Sequence, residues 1–418
     1  MPSTYLPRLV DGLLDEYLTE FPAIMLVGPR ACGKTTTAAR RAATVLRLDT
    51  EQGSDALRAD PDAALRNRAE PVLLDEWQEC PAVMGAVKRA VDSERRPGRF
   101  LITGSARSNT DERLWPGTGR VVMLPMHPLT VAETSGTPPR PFIDRVAAGE
   151  ELVGEGPAPD LADYLSLALR GGFPEPALEL GEAGARRWLA SYADQVALRD
   201  ARSHGLAPDS VRLRRYLVAL AINSAGIPQD KTLYEAAGID RRTAQSYEQL
   251  LSDLVVVDHL GAWSTNRLKR LSRTPKRYLI DPGLMAGILE LDREDALGDG
   301  ALLGALIDTF VVAQLRAEAS VAKTRYRLSH LRDQNGRREV DVIAELPRGR
   351  LIGIEVKAAA GVRRSDARHL MWLRDSMGEA FVAGVVLHTG QDTIELDDRI
   401  VATPVSAIWT ANDGPPRT

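Results

Sequence analysis

The sequence predicts an α/β chain built on a parallel sheet, and three observations carry that prediction. The apolar run Ile24-Met25-Leu26-Val27 leads straight into Gly28-Pro29-Arg30-Ala31-Cys32-Gly33-Lys34-Thr35. Further on, Pro71-Val72-Leu73-Leu74 ends in Asp75-Glu76, and Arg99-Phe100-Leu101-Ile102 ends in Thr103-Gly104-Ser105. Each is a short apolar strand that releases polar residues at its carboxyl end, where open α/β sheets bind their ligands.

Taken in order, Tyr5, Leu9, Leu13 and Tyr17 recur every four residues and predict an amphipathic helix before the first strand. The run 28–35 fills every position of G-x-x-x-x-G-K-[ST], and residues 35–43, polar and Ala-rich, are helix-compatible. Strand, glycine loop, helix is the context in which this spacing cradles phosphate. Gly28 and Gly33 let successive backbone N–H groups of the loop Pro29-Arg30-Ala31-Cys32 (the proline, which has none, excepted) turn inward, and the helix start adds partial positive charge. Lys34 is placed to reach the β- and γ-phosphates, with Thr36 following the Thr35 hydroxyl that holds Mg²⁺. The loop therefore predicts binding of a nucleoside triphosphate. Val45-Leu46-Arg47-Leu48-Asp49 reads as the second strand. Asp75 then suits the Mg²⁺ shell and Glu76 the orienting of an attacking water. Thr103 or Ser105 either meets the γ-phosphate or caps its strand end. Arg120 stands just before Val121-Val122-Met123-Leu124, at the rim of the sheet.

The rest of the composition sets bounds. A chain of 418 residues is too long for one core. Its segments read as an ATPase domain over 1–134, a linker and helical lid over 135–205, a winged-helix module over 206–283, and a last α/β domain over 284–418. Apolar residues at 44% and charged residues at 26% are those of a soluble globular protein. Uninterrupted apolar runs are far short of a membrane span, and the N-terminus lacks a basic-then-apolar pattern, so neither membrane nor export is expected. Cys32 and Cys80 are the only cysteines, which argues for a reducing cytoplasm, and the six histidines show no zinc-like spacing. A net charge of −4 means that any nucleic-acid surface is local.

Residues 135–160 are rich in Pro and Gly and read as a long connection. Helices follow at 161–170 and 182–200, parted by Gly171-Gly172-Phe173-Pro174-Glu175. Over 211–257 the pattern is three helices and a strand, the second helix ended by Gly238 and the third capped by Asp240. That is a winged-helix order. Its third helix exposes Arg241 and Arg242 where a recognition helix meets DNA. The loop 263–277 adds Arg267, Lys269, Arg270, Arg273, Lys276 and Arg277 without an acid, and so predicts a basic wing on DNA.

With these runs in view, GPRACGKTT, LLDEWQECP, FLITGSARS, the GR before VVML, and PMHPLTVAE resemble, in order, the AAA-type ATPases that carry a conserved, uncharacterised C-terminal domain. The resemblance implies ATP and Mg²⁺ as cofactors, a hexamer-like ring of identical subunits, and Arg120 as an arginine finger acting on a neighbour's nucleotide. The chain departs from the AAA pattern in having Thr103 or Ser105 where Asn is usual. It also shows no second sensor arginine in the lid.

In the last third, a helix carrying Asp308 is followed by strands at 325–331, 339–344 and 351–357, a helix near 366–373 and a strand at 381–387. Alternation puts Glu339 and Asp341 on one face, and Glu355 and Lys357 on one face. Asp341, a turn, then Glu355-x-Lys357 resembles the restriction-endonuclease fold and its D…E-x-K nuclease site, with Asp308 as the helical acid. The resemblance implies two acids on Mg²⁺ and a lysine assisting water. The expected function is an oligomeric, Mg²⁺-dependent ATPase that binds or remodels DNA, branched (Holliday-junction-like) DNA being the analogy the nuclease-like fold offers. The alternatives are an ATP-switched regulatory or scaffold protein that docks partners on its winged helix, and an ATP-gated nuclease.

Overall fold

The computed structural model describes residues 5–104, 118–136, 140–152, 157–197, 209–333 and 336–410, without the side chains of 51–54 and 267. It divides into two units, Met1–Pro128 with Leu251–Val256, and Leu129–Leu250 with Val257–Thr418. Ser105 lies outside the described residues, as do 137–139, 153–156 and 198–208.

The first unit is a five-stranded parallel sheet: β1 (Ala23–Val27), β2 (Thr44–Arg47), β3 (Val72–Asp75), β4 (Phe100–Gly104) and β5 (Val122–Pro125), in the order β2-β3-β4-β1-β5. The three central strands are buried at every residue, whereas the edge strands β2 and β5 are half-exposed. Continuous apolar runs are what a parallel sheet covered on both faces requires. The sheet order brings the ends of β1, β3 and β4 to one edge, with Val27 beside Gly104 and Leu74 beside Ile102. Helix Lys34–Ala39 follows the glycine loop and helix Val83–Ser93 follows β3. This is the sheet of a P-loop NTPase.

The second unit holds a six-stranded mixed sheet: β8 (Arg327–Arg332), β9 (Glu339–Glu345), β10 (Leu351–Lys357), β11 (Phe381–His388), β12 (Ile394–Asp397) and β13 (Ile400–Pro404), in the order β12-β13-β11-β10-β9-β8. Strand β10 pairs parallel to β11 and antiparallel to β9. Helix Arg368–Met377 packs its Leu370 and Leu373 on this sheet. Its close approach depends on Gly353, where a Cβ would fall 2.7 Å from Leu370 Cδ2. Before the sheet come helices Ser210–Ile222, Asp230–Ala237 and Arg241–Asp253, then the hairpin of β6 (Val257–Leu260) and β7 (Lys276–Leu279). Asp240 caps the third helix through the N–H groups of Arg242 and Thr243, at 2.9 and 3.0 Å. Gly238 ends the second in the left-handed region.

Helix Gly300–Ala319 is long and apolar enough by composition to cross a membrane. It is the core helix of this unit instead, burying Asp308, Gln314 and Glu318 along with most of its apolar residues. The stretch 135–160, expected as a connection, contains helix Phe142–Ala147, whose Phe142, Ile143, Asp144, Arg145 and Val146 are buried. Glu318 explains this: its carboxylate accepts from Phe142 N–H at 2.8 Å and anchors the helix start. Burial pushes the Glu318 carboxyl up to about 8, against that hydrogen bond and nearby Arg145. Below the ordinary Glu range the folded and unfolded chains both hold the proton, and its contribution to stability is complete. As pH rises toward about 8 the unfolded chain ionises first and stability falls, by roughly 1.4 kcal/mol for each unit crossed. Glu318→Gln keeps an acceptor without the charge. Thermal unfolding followed from pH 6 to pH 8 should therefore lose less stability in Glu318→Gln than in the wild type; equal losses would refute the assignment.

Candidate active site

The glycine loop takes its shape from local constraints. Gly33 has φ 99° and opens the following helix, and Ala31 also has positive φ, at 58°. Gly28 admits no side chain, since a Cβ there would lie 2.0 Å from the Met126 carbonyl oxygen. Pro29 and Cys32 are buried, Arg30 and Thr35 half-buried, and Thr36 exposed. Lys34 is 5% exposed and donates to the carbonyls of Gly28 and Pro29 at 3.0 and 2.6 Å, so its ammonium is held within the loop. The loop is braced from outside by Arg8. This buried side chain donates to Cys32 O at 2.8 Å and His127 O at 2.7 Å. Arg8 carries no motif, and only the fold reveals it.

Asp75 sits at the end of β3 and is buried. Its Oδ1 accepts from Thr35 Oγ1 at 2.7 Å and from Thr103 Oγ1 at 2.5 Å. Thr103 thus orients the acid from the next strand, and its hydroxyl is taken up there. Thr35 and Asp75 present hard oxygen donors at one point, which fits Mg²⁺. Glu76 follows in the left-handed region, φ 55° and ψ 52°, an uncommon conformation for a residue with a side chain. Its carboxylate accepts from Gln78 Nε2. Gln78 and buried Trp77 lie against the end of β4, where a Cβ on Gly104 would come within 2.7 Å of both. The glycine of FLITGS is there to admit them.

Arg120 stands apart from this group. Its Nε donates to Asp92 at 2.9 Å and its Nη1 to Thr118 O at 3.1 Å. Asp92, paired also with Lys88, is held below the usual carboxylate range by those two cations.

In the second unit the structure brings Asp308, Asp341, Glu355 and Lys357 together, but with a further lysine where the resemblance implied Mg²⁺ on the acids. Lys276 of β7, 2% exposed, donates to Asp308 at 2.7 Å and to Asp341 at 3.0 Å. Asp341 also accepts from Val356 N–H, and Lys357 reaches Glu355 at 3.3 Å. Burial pushes Asp308 up to about 6 and Glu355 up to about 7. Burial works the same way on Asp341, but Lys276 and the Val356 N–H outweigh it and hold that carboxyl down. A Mg²⁺ ion does not fit this cluster as it stands, because an ammonium already lies between the two aspartates.

The basic wing needs a second correction. Lys276 and Arg277 are buried in β7, Arg277 pairing with Glu248 at 2.6 Å and Asp230 at 2.6 Å. Burial would raise Glu248, yet His259 and Arg277 pull it to about 2. Arg270 grips Glu345 with two hydrogen bonds, at 2.6 and 3.1 Å, and Arg273 donates to Arg332 O. Arg241, Arg242 and Lys269 remain exposed; the Arg267 side chain lies outside the described residues. Helix Arg267–Leu271, found where a loop was expected, also exposes Leu268 and Leu271, at 78% and 86%.

Three stretches of the chain match known families. Residues 20–135 match the family described as AAA domain, and 161–295 and 303–408 match two families each described as a domain of unknown function (DUF8612 and DUF4143). The chain is 29% identical over 397 residues to the uncharacterized proteins Rv2008c of Mycobacterium tuberculosis and Mb2031c of Mycobacterium bovis, covering 93% of this chain and 81% of each relative. The Walker-type ATPase PABY2304 of Pyrococcus abyssi superposes with a TM-score of 0.40 at 13% identity, over 67% of this chain and 94% of that one. The first unit carries a P-loop ATPase domain.

Proposed function

We propose that the chain is a Mg²⁺-dependent ATPase that works as an oligomer and couples hydrolysis to binding or remodelling DNA. The observation that carries the ATPase reading is the meeting of Thr35, Asp75 and Thr103 on one carboxylate oxygen beside the buried Lys34. Lys34 binds the phosphates, Thr35 and Asp75 hold Mg²⁺, and Glu76, steadied by Gln78, orients the water. When bound, Mg²⁺ supplies neutralisation of the charge that develops on the phosphates.

DNA is assigned on the exposed Arg241 and Arg242 at the start of a capped third helix, with Lys269 beyond the hairpin's first strand. Replacing these three by Ala together should weaken DNA binding and lower the slope of log K against log salt by roughly 0.9 for each phosphate no longer neutralised. ATP affinity should not change. ATP turnover measured alone and with linear, single-stranded and four-way-junction DNA tests the coupling, and stimulation by one of these is the expected result. A second reading has its own observation: Leu268 and Leu271 are exposed beside an Arg270 already committed to Glu345, a surface suited to docking a protein. An unchanged salt slope in the triple variant, with no stimulation by any DNA, would favour that ATP-switched docking role.

A further inference from the structure

Strand β7 alternates, and its two cations face opposite ways. Arg277 is held by Glu248 and Asp230 of the three-helix module. Lys276, its neighbour, enters the acid cluster of the mixed sheet and lies between Asp308 on the core helix and Asp341 on β9. Tyr278, two residues on and so on the same face, donates its hydroxyl to Asp308 at 3.2 Å. Two side chains that no nuclease pattern requires, Lys276 and Tyr278, have thus been built into the centre of one.

The chemistry of the position is that of a cation site. The Lys276 nitrogen makes short contacts to oxygens from two separate elements, and the buried Glu355 adds a third carboxylate to the cluster. Glu355 is 4% exposed; among the described residues its Oε1 has no partner at hydrogen-bond distance and faces His369 Nδ1 at 3.7 Å. Asp308, Asp341 and Glu355 so close together would repel one another in the absence of positive charge. A divalent ion would need the same two aspartate oxygens at about 2.0–2.6 Å, closer than the ammonium stands. The two cations cannot share the place. Nor can Lys276 be displaced cheaply, since a buried ammonium without its partners carries a heavy desolvation cost. The Arg277 ion pairs hold the strand that delivers it.

We infer that Lys276 is the resident cation of this cluster, standing where a divalent ion would otherwise bind, and that the second unit therefore takes no Mg²⁺ or Mn²⁺ there and cleaves no phosphodiester. The acids are retained as partners of a lysine. This inference is independent of the ATPase reading, which concerns the other unit.

The test is Mn²⁺ binding to the nucleotide-free full chain, read by loss of the free Mn²⁺ electron paramagnetic resonance signal. The wild type should show no binding that Asp341→Asn removes. Lys276→Met vacates the position at similar volume, and should gain binding of a Mn²⁺ ion that the wild type does not take up. It should also rise in Tm on adding the ion, and both gains should vanish in the double variant Lys276→Met/Asp341→Asn. The glycine loop is intact throughout, so any binding there is common to every arm. Mn²⁺ binding by the wild type that depends on Asp341 would overturn the inference without recourse to any Lys276 variant. A folded Lys276→Met that neither binds nor is stabilised by Mn²⁺ would overturn it too. Should Lys276→Met fail to fold, Lys276→Gln takes its place under the same two criteria.

Discussion

Glu76→Gln is expected to bind ATP as the wild type does and to hydrolyse it at less than about a hundredth of the rate, the low end of what a positioned base contributes. Lys34→Ala is expected to lose ATP binding itself. The two differ because they act at different stages. Lys34 is buried in the loop and already donates to its carbonyls, so its ammonium is part of the cradle before any phosphate arrives. Glu76 lies outside the cradle, on the residue after Asp75, and Gln78 holds its carboxylate. Replacing Glu76 by Gln leaves Thr35, Asp75 and Thr103 untouched and removes only the charge that orients water. Equilibrium binding of a fluorescent ATP analogue, beside phosphate release, separates the cases. Undiminished turnover in Glu76→Gln would remove that residue from the mechanism. Gln78→Ala should share the defect in milder form, because it releases the carboxylate without deleting it.

The candidate ATP site was legible in the sequence because its chemistry is local. Loop, lysine and hydroxyl occupy adjacent positions, and Asp75 ends, and Glu76 follows, a strand whose burial the apolar run announces. What supports the site was not legible. Arg8 reaches Cys32 and His127 across the fold, and nothing in Leu-Pro-Arg-Leu marks it for that task. The same contrast runs through the second unit. Strand alternation brought Asp341, Glu355 and Lys357 to one place, as period two requires. It could not show that Lys276, counted with a basic wing, turns inward to join them. A run of cations reveals its charge and not its partners: Arg270, Lys276 and Arg277 are all spent on acids from distant elements. Strands β12 and β13 escaped notice because their turn carries Asp398-Arg399, with Arg399 at φ 56°, and lacks the Asn-Gly signature of a tight hairpin. The helix Phe142–Ala147 was hidden by the prolines around it, although Pro141 stands just before its first residue, where proline does no harm.

Arg120→Ala is expected to bind ATP normally and to hydrolyse it about 10³–10⁵ times more slowly, the range an arginine supplied by a neighbouring subunit provides. Within its own chain Arg120 is not at the site. It pairs with Asp92 at 2.9 Å, with both side chains 39% exposed, and an ion pair so open to water is worth little. The guanidinium can therefore leave Asp92 at small cost, as the proposed oligomer requires if a second subunit is to offer a phosphate in its place. Two consequences distinguish this from a structural role. Asp92→Asn should leave turnover intact, because Asp92 only stores the arginine, whereas Arg120→Lys should fail nearly as badly as Arg120→Ala, because a point charge does not reproduce the planar fork. Mixing Arg120→Ala with Glu76→Gln subunits should restore part of the activity, since some interfaces then combine an intact Glu76 with an intact Arg120. Turnover should also fall on dilution as the oligomer dissociates. Full specific activity at concentrations where sedimentation shows only monomer would exclude Arg120 as a group acting between subunits.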